Sequence, residues 1–165
     1  MKRFLFFIVF ILSFSCLYGQ GYTQALGVRA GWASPGIEYR YYTSDVNSLK
    51  ALLATRDHGL QLHGFAEFFQ YDLFPFSHQL ILFYGLGAHI GYESWDVTRN
   101  EGARIYYDTH YSLLAGLDGL AGIEYVFYEA PLMAGIEIKP FFDLFGRNGL
   151  DVMLFDLAFT IKYIF

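Results

Sequence analysis

The sequence predicts an all-β fold: an eight-stranded antiparallel up-and-down β-barrel that crosses a membrane. Three observations point there. The first is composition: 165 residues, enough for one domain, are 55% hydrophobic and 21% aromatic but only 16% charged. Soluble domains run to about a quarter charged, and a soluble domain of this size would show water an aromatic surface that invites aggregation. The second is that, beyond the N-terminal leader, no segment approaches the roughly 20 apolar residues of a membrane helix. The third is a side-chain period of two, the mark of strands with unlike faces.

Residues 1–19 read as a signal peptide and 20–165 as the barrel. Lys2 and Arg3 make a basic start, Phe4 to Leu12 an unbroken apolar stretch, and small and polar residues follow to Gly19 and Gln20. That is the layout of a cleaved secretory leader; the apolar stretch is short for an uncleaved spanning anchor. Cys16 is the only cysteine, and it resembles a lipoprotein acylation site only weakly, with Ser13 where an aliphatic residue is expected. Cleavage after Gly19 leaves no thiol, hence no disulfide, Cys metal site or Cys nucleophile.

Eight strands follow in order. The first sets Leu26, Val28, Ala30 and Trp32 against Arg29, and the second Ile37, Tyr39 and Tyr41 against Glu38 and Arg40. The third sets Leu49, Ala51 and Leu53 against Lys50, although Ser48 to Ala54 also fits a turn or two of helix. The fourth, Leu60–Phe68, opposes Leu60, Leu62, Ala66 and Phe68 to Gln61, His63 and Glu67. The fifth, Leu80–Tyr92, opposes alternate apolar residues to Gly85, Gly87, His89 and Gly91. The sixth, Leu113–Phe127, has Asp118 and Glu124 on its polar face; the seventh, Leu132–Phe142, has Glu137 and Lys139. The eighth runs from Asp151 to Phe165, with Met153, Phe155, Leu157, Phe159, Ile161, Tyr163 and Phe165 on one face and Asp156, Thr160 and Lys162 on the other. An even number suits single-chain bacterial barrels, and strands in hydrocarbon must close because no water meets an open edge there. The polar connection Glu93–His110, with Asp96, Arg99, Asn100, Glu101, Arg104 and Asp108, is expected to be a long external loop. Both termini and the shorter connections after strands two, four and six then lie on the periplasmic side.

With apolar faces toward lipid, the opposite faces fill the interior. Those positions hold Arg29, Arg40, Lys50, Lys139 and Lys162 beside Glu38, Glu67, Asp118, Glu124, Glu137 and Asp156. Eight strands leave room only for side chains, and buried charges persist when paired. The near-balance of signs favours an internal ion-pair network that plugs the barrel over a proton or ion path lined by the same groups.

His63 and His89 are expected to point inward as neighbours, with Glu67 on the face of His63. A metal site needs a third or fourth ligand in reach; lumen-filling imidazoles bonded to carboxylates are the simpler reading, so neither metal nor cofactor is expected. Ser94 and Ser112 fall near the outer rim, with Asp108 and His110 close to Ser112 in sequence. No nucleophile-elbow glycine pattern surrounds them, so no catalytic residue is assigned and no enzyme is expected. The glycines of Gly85–Gly91 precede no helix and read as small inward residues beside Phe65, Phe69 and Phe83, not as a dinucleotide loop. Trp32, Tyr41, Tyr92, Trp95, Tyr106, Tyr107, Tyr125 and Tyr163 suit the aromatic girdles of membrane barrels. The net charge of −5 argues against nucleic acid, which needs a basic face.

The segments GLGAHIGY (85–92), GLDGLAGIEYVFYEAPL (116–132), IEIKPFFDLF (136–145) and FTIKYIF (159–165) resemble small outer-membrane β-barrel proteins of the Bacteroidota type, barrels like OmpA and OmpX. The resemblance implies an outer-membrane location in a Gram-negative bacterium, contact with outer-membrane lipid, and insertion by the barrel-assembly machinery, with Tyr163 and Phe165 as its C-terminal signal. Such families carry no agreed catalytic residues, so none transfers. The role expected is structural or surface-interacting, as a monomer whose external loop meets an unidentified partner. A narrow channel or a lipid-modifying enzyme is the alternative.

Overall fold

A computed structural model describes residues 23–56, 58–101, 104–147 and 149–165; the expected leader lies outside them. Ten strand segments follow one another: β1 (Gln24–Gly31), β2 (Gly36–Ser44), β3 (Asn47–Arg56), β4 (Gly59–Gln70), β5 (Leu80–Glu101), β6 (Arg104–Phe127), β7 (Leu132–Ile138), β8 (Phe141–Phe145), β9 (Asp151–Met153) and β10 (Leu157–Ile164). Every pairing is antiparallel, and β1 also pairs with β10, from Ala25 opposite Ile164 to Gly31 opposite Ala158. β7 and β8 both lie along β6, while β10 pairs with β7 and β9 with β8, so β7 with β8 and β9 with β10 each make one stave, and the ten segments form eight staves of one closed barrel. No helix occurs among the described residues.

The period of two sets which residues face in. On β4, Gln61, His63, Phe65, Glu67 and Phe69 are buried while Leu60, Leu62, Ala66 and Phe68 are exposed. Twelve residues in β4, rising about 3.4 Å each and tilted about 40°, climb about 30 Å. The segment 48–54 is strand and not helix: Ser48, Lys50, Leu52 and Ala54 are buried and Leu49, Ala51 and Leu53 exposed.

Three expectations need correction. The connection Glu93–His110 is no loop. β5 and β6 continue beyond the last pair that β5 makes with β4 (Tyr92 opposite Leu60) and pair with each other from Glu93–Ser112 to Glu101–Arg104. Asp96, Val97, Thr109 and His110, neighbours that point to opposite faces of the ribbon, are all exposed, so these positions carry no apolar stripe like that of the other strands. The seventh strand breaks at Pro140, which has no N–H for a ladder, and resumes as β8, past the expected end at Phe142. The eighth breaks as well. Leu154 and Phe155 both face outward, 56% and 76% exposed, so the alternation slips by one residue, as at a bulge. Met153 therefore sits opposite the buried Phe141, on the lumen phase and not with the outward odd residues.

Large inward side chains sit cross-strand from glycines. Phe65 opposes Gly87, Phe83 opposes Gly122, His89 opposes Gly116, Glu124 opposes Gly135 and Lys162 opposes Gly27. A Cβ on Gly87 would lie 2.5 Å from a Phe65 ring carbon, and one on Gly122 2.6 Å from the Phe83 ring. At Gly64, which faces outward, it would meet nothing within 4 Å. Overpacking a filled core costs about 1–3 kcal/mol. Gly122→Ala is therefore expected to lower stability by about that amount in urea unfolding from detergent micelles, with Gly64→Ala near neutral; equal effects would contradict this packing.

Candidate functional site

The lumen divides into an apolar wall and a charged one. Leu52, Ala54, Phe65, Phe69, Ile81, Phe83 and Leu120, from β3 to β6, form one buried cluster. At the end holding the termini, Ala25, Met133 and Ile164 form a second, with Tyr42 and Val126 packed against both. Most of the charge projects from the opposite staves. Cations lie over rings where the walls meet: the Arg40 guanidinium is 5.0 Å from the Phe69 ring centre and 5.2 Å from that of Phe83, within cation–π range.

The charges form an alternating chain, with each member buried to 2% exposure or less. Arg29 Nε lies 2.5 Å from Glu137 Oε1, whose other oxygen is 2.8 Å from Lys50 Nζ. Lys50 is 2.5 Å from Glu38 Oε2, and Lys162 is 2.8 Å from Glu38 Oε1. Lys162 then bonds Glu124, which receives both Arg40 Nη groups at 2.6 and 3.0 Å. Arg40 Nε reaches Glu67 Oε2 at 2.6 Å, and Ser48 Oγ donates to the same oxygen at 2.7 Å. Arg29 also donates to Asp156 at 3.0 Å, and Asp156 accepts from Ser34 Oγ and, at 3.0 Å, from the Ala33 backbone N–H. Lys139 differs: its Nζ stands 3.8 Å from Asp156 with no hydrogen-bond partner among the described residues.

Toward the end away from the termini, the histidines and carboxylates form a second group. His63 Nδ1 is 2.9 Å from Asp118 Oδ2, His89 Nδ1 is 3.0 Å from Asp118 Oδ1, and His89 Nε2 is 2.9 Å from Asp143 Oδ1. The carboxylate beside His63 is thus Asp118 from β6, and Glu67, its neighbour on β4, belongs to the Arg40 chain. Arg56 bridges Asp143 at 2.9 Å and Asp151 at 3.4 Å, and its guanidinium lies 4.2 Å from the Phe141 ring centre. Arg56 and Asp143 fell beyond the strand limits read from sequence. Extending the alternation of Glu137 and Lys139 by two positions twice would have found Asp143.

On the ribbon, Ser94 Oγ donates to the His58 carbonyl and Ser112 Oγ to the Leu113 carbonyl. His110 stacks on Trp95 with ring centres 5.9 Å apart, and Arg147 lies over the same Trp95 ring at 4.6 Å. The Asp108, Tyr106 and Tyr107 side chains lie outside the described residues. Tyr163 stacks on Phe165 at the closing seam, with centres 6.1 Å apart.

Removing one partner of a buried ion pair strands the other and costs about 3–5 kcal/mol. Arg40→Met is expected to destabilise the barrel by about that much in urea, because Glu124 and Glu67 both lose their guanidinium. A change below about 1 kcal/mol would mean that these pairs are hydrated.

No protein-family profile and no curated protein matches the chain. Among solved structures it is similar to the crystal structure of the N-terminal β-barrel domain of Pseudomonas aeruginosa OprF, at 14% identity and a TM-score of 0.51, over 88% of this chain and 100% of that one. At that identity the likeness shows the fold: a closed eight-stranded antiparallel barrel.

Proposed function

We propose that the chain is an integral outer-membrane β-barrel of a Gram-negative bacterium, exported through a cleaved signal peptide over residues 1–19, with a structural or surface-interaction role. The observation that carries this reading is inverted polarity. Val28, Ile37, Leu62, Leu86, Ile90, Leu117, Phe159 and Ile161 are exposed, while Arg29, Glu38, Arg40, Glu137 and Lys162 are buried. Water would reject that outer surface; hydrocarbon accepts it, since the backbone closes on itself. Aromatics near both rims, among them Trp32 and Tyr92 at one end and Tyr41 and Tyr128 at the other, support an interfacial girdle.

The barrel anchors in outer-membrane lipid as a monomer, of the small type met in Bacteroidota, and its assembly machinery reads Tyr163 and Phe165. The interior ion pairs of Arg29, Glu38, Arg40, Glu67, Glu124, Glu137 and Lys162, with Asp118, Lys139 and Asp156 beyond them, plug the lumen. That filling disfavours a narrow channel, and among the described residues no feature favours a lipid-modifying enzyme. The β5–β6 ribbon carries the surface role, presenting Glu93, Asp96 and Tyr111 to an external partner.

The test is a single charge on the outer face. Ile161 lies between Val28 and Ala134, facing outward. An arginine at mid-bilayer depth costs about 2–4 kcal/mol, so Ile161→Arg is expected to destabilise the barrel by that amount in lipid vesicles. A neutral effect would contradict lipid contact. Replacing residues 94–111 by a short turn is expected to preserve the heat-modifiable gel shift of the folded barrel; its loss would show that the ribbon is needed for closure and is not an appendage.

A further inference from the structure

His63, His89 and Asp118 converge from β4, β5 and β6, with one ligand atom from each lying within 4.8 Å of the others. All three are buried, at 1%, 2% and 3% exposure. Two imidazoles and a carboxylate with a fourth position open are the ligand set of a zinc-type divalent ion. The surroundings add what such a site needs. Asp143 backs His89 at Nε2, 2.9 Å away, and is held in turn by Arg56, the carboxylate–histidine arrangement that orients a ligand. His63 Nε2 and both amide atoms of Gln61, two residues along the same strand face, have no hydrogen-bond partner among the described residues. Arg56 links Asp143 in turn to the half-exposed Asp151.

We propose that His63, His89 and Asp118 bind one divalent transition-metal ion, of which Zn2+ is the best fit, inside the barrel. Each imidazole bonds the ion through its Nδ1 lone pair, so any proton that Nδ1 carries in the metal-free barrel leaves to solvent or moves to Nε2, while Asp143 stays on Nε2 of His89. Lys139, whose Nζ is 3.8 Å from Asp156 without a hydrogen-bond partner among the described residues and acts electrostatically on His63 and Asp118, opposes the ion and holds the affinity down.

The test titrates the metal-stripped full chain, folded in detergent micelles, with Co2+, whose tetrahedral complexes absorb in the visible, followed by displacement with Zn2+. The expected result is one Co2+ per chain, displaced by one Zn2+. His63→Gln and His89→Gln should abolish the band while keeping the heat-modifiable shift. Asp143→Asn should weaken binding by about 10–100-fold, and Lys139→Met should tighten it. No band in the wild type, or a band that survives in the folded histidine variants, overturns the site. Should either histidine variant fail to fold, Lys139→Met decides: unchanged or weaker affinity overturns it. None of these outcomes bears on lipid contact, which Ile161→Arg tests separately.

Discussion

A charge sealed inside eight strands has to find its counter-charge on another stave, because its immediate neighbours along the strand point outward to an apolar surface. Everything else in this fold follows from that constraint. Arg29 reaches Glu137, 108 positions away, and Asp156, 127 away; Arg40 reaches Glu124, 84 away. Such bonds form only when the staves are closed and in register, since a slip of one residue turns every charge toward the outside. The ion pairs therefore specify register more than they supply net stability, for buried pairs recover little beyond their desolvation cost. The apolar wall of Phe65, Phe69 and Phe83 supplies the packing, and the glycines opposite large side chains make room for both.

The architecture was legible because one physical signal dominates it. Leu26 to Trp32, Ile37 to Tyr41 and Leu157 to Phe165 alternate without fault, and a period of two with a polar inner face has few other solutions in a chain this greasy. What escaped has physical causes. At Leu154 and Phe155 the alternation slips, but both residues are apolar, so nothing in the letters marks the bulge that puts Met153 on the lumen phase. The ribbon escaped because consecutive residues such as Asp96 and Val97 or Thr109 and His110 are all exposed, which erases amphipathic alternation there and leaves Glu93–His110 to read as loop.

The interior was legible by face and not by partner. That His63 and His89 share a level follows from strand order, yet Asp118 joins them through the β5–β6 register, in which Gly87 lies opposite Asp118 and His89 opposite Gly116. Register across a closed sheet is a three-dimensional fact that the bulges help to set. The cross-strand glycines are the signal that could have recovered it: in a packed lumen a large inward residue needs a small one beside it, so Gly85, Gly87, Gly116, Gly122 and Gly135 mark where their bulky partners lie.

The measurement that bears most directly on the inverted arrangement is a scan of spin labels along residues 157–163 of the barrel in lipid vesicles, comparing relaxation by oxygen, which enriches in hydrocarbon, with relaxation by a water-soluble nickel chelate. With the apolar face in lipid, oxygen relaxation is strong at 157, 159 and 161, and neither reagent reaches labels at 158, 160 and 162. High chelate relaxation at 159 and 161, or no alternation, would contradict it.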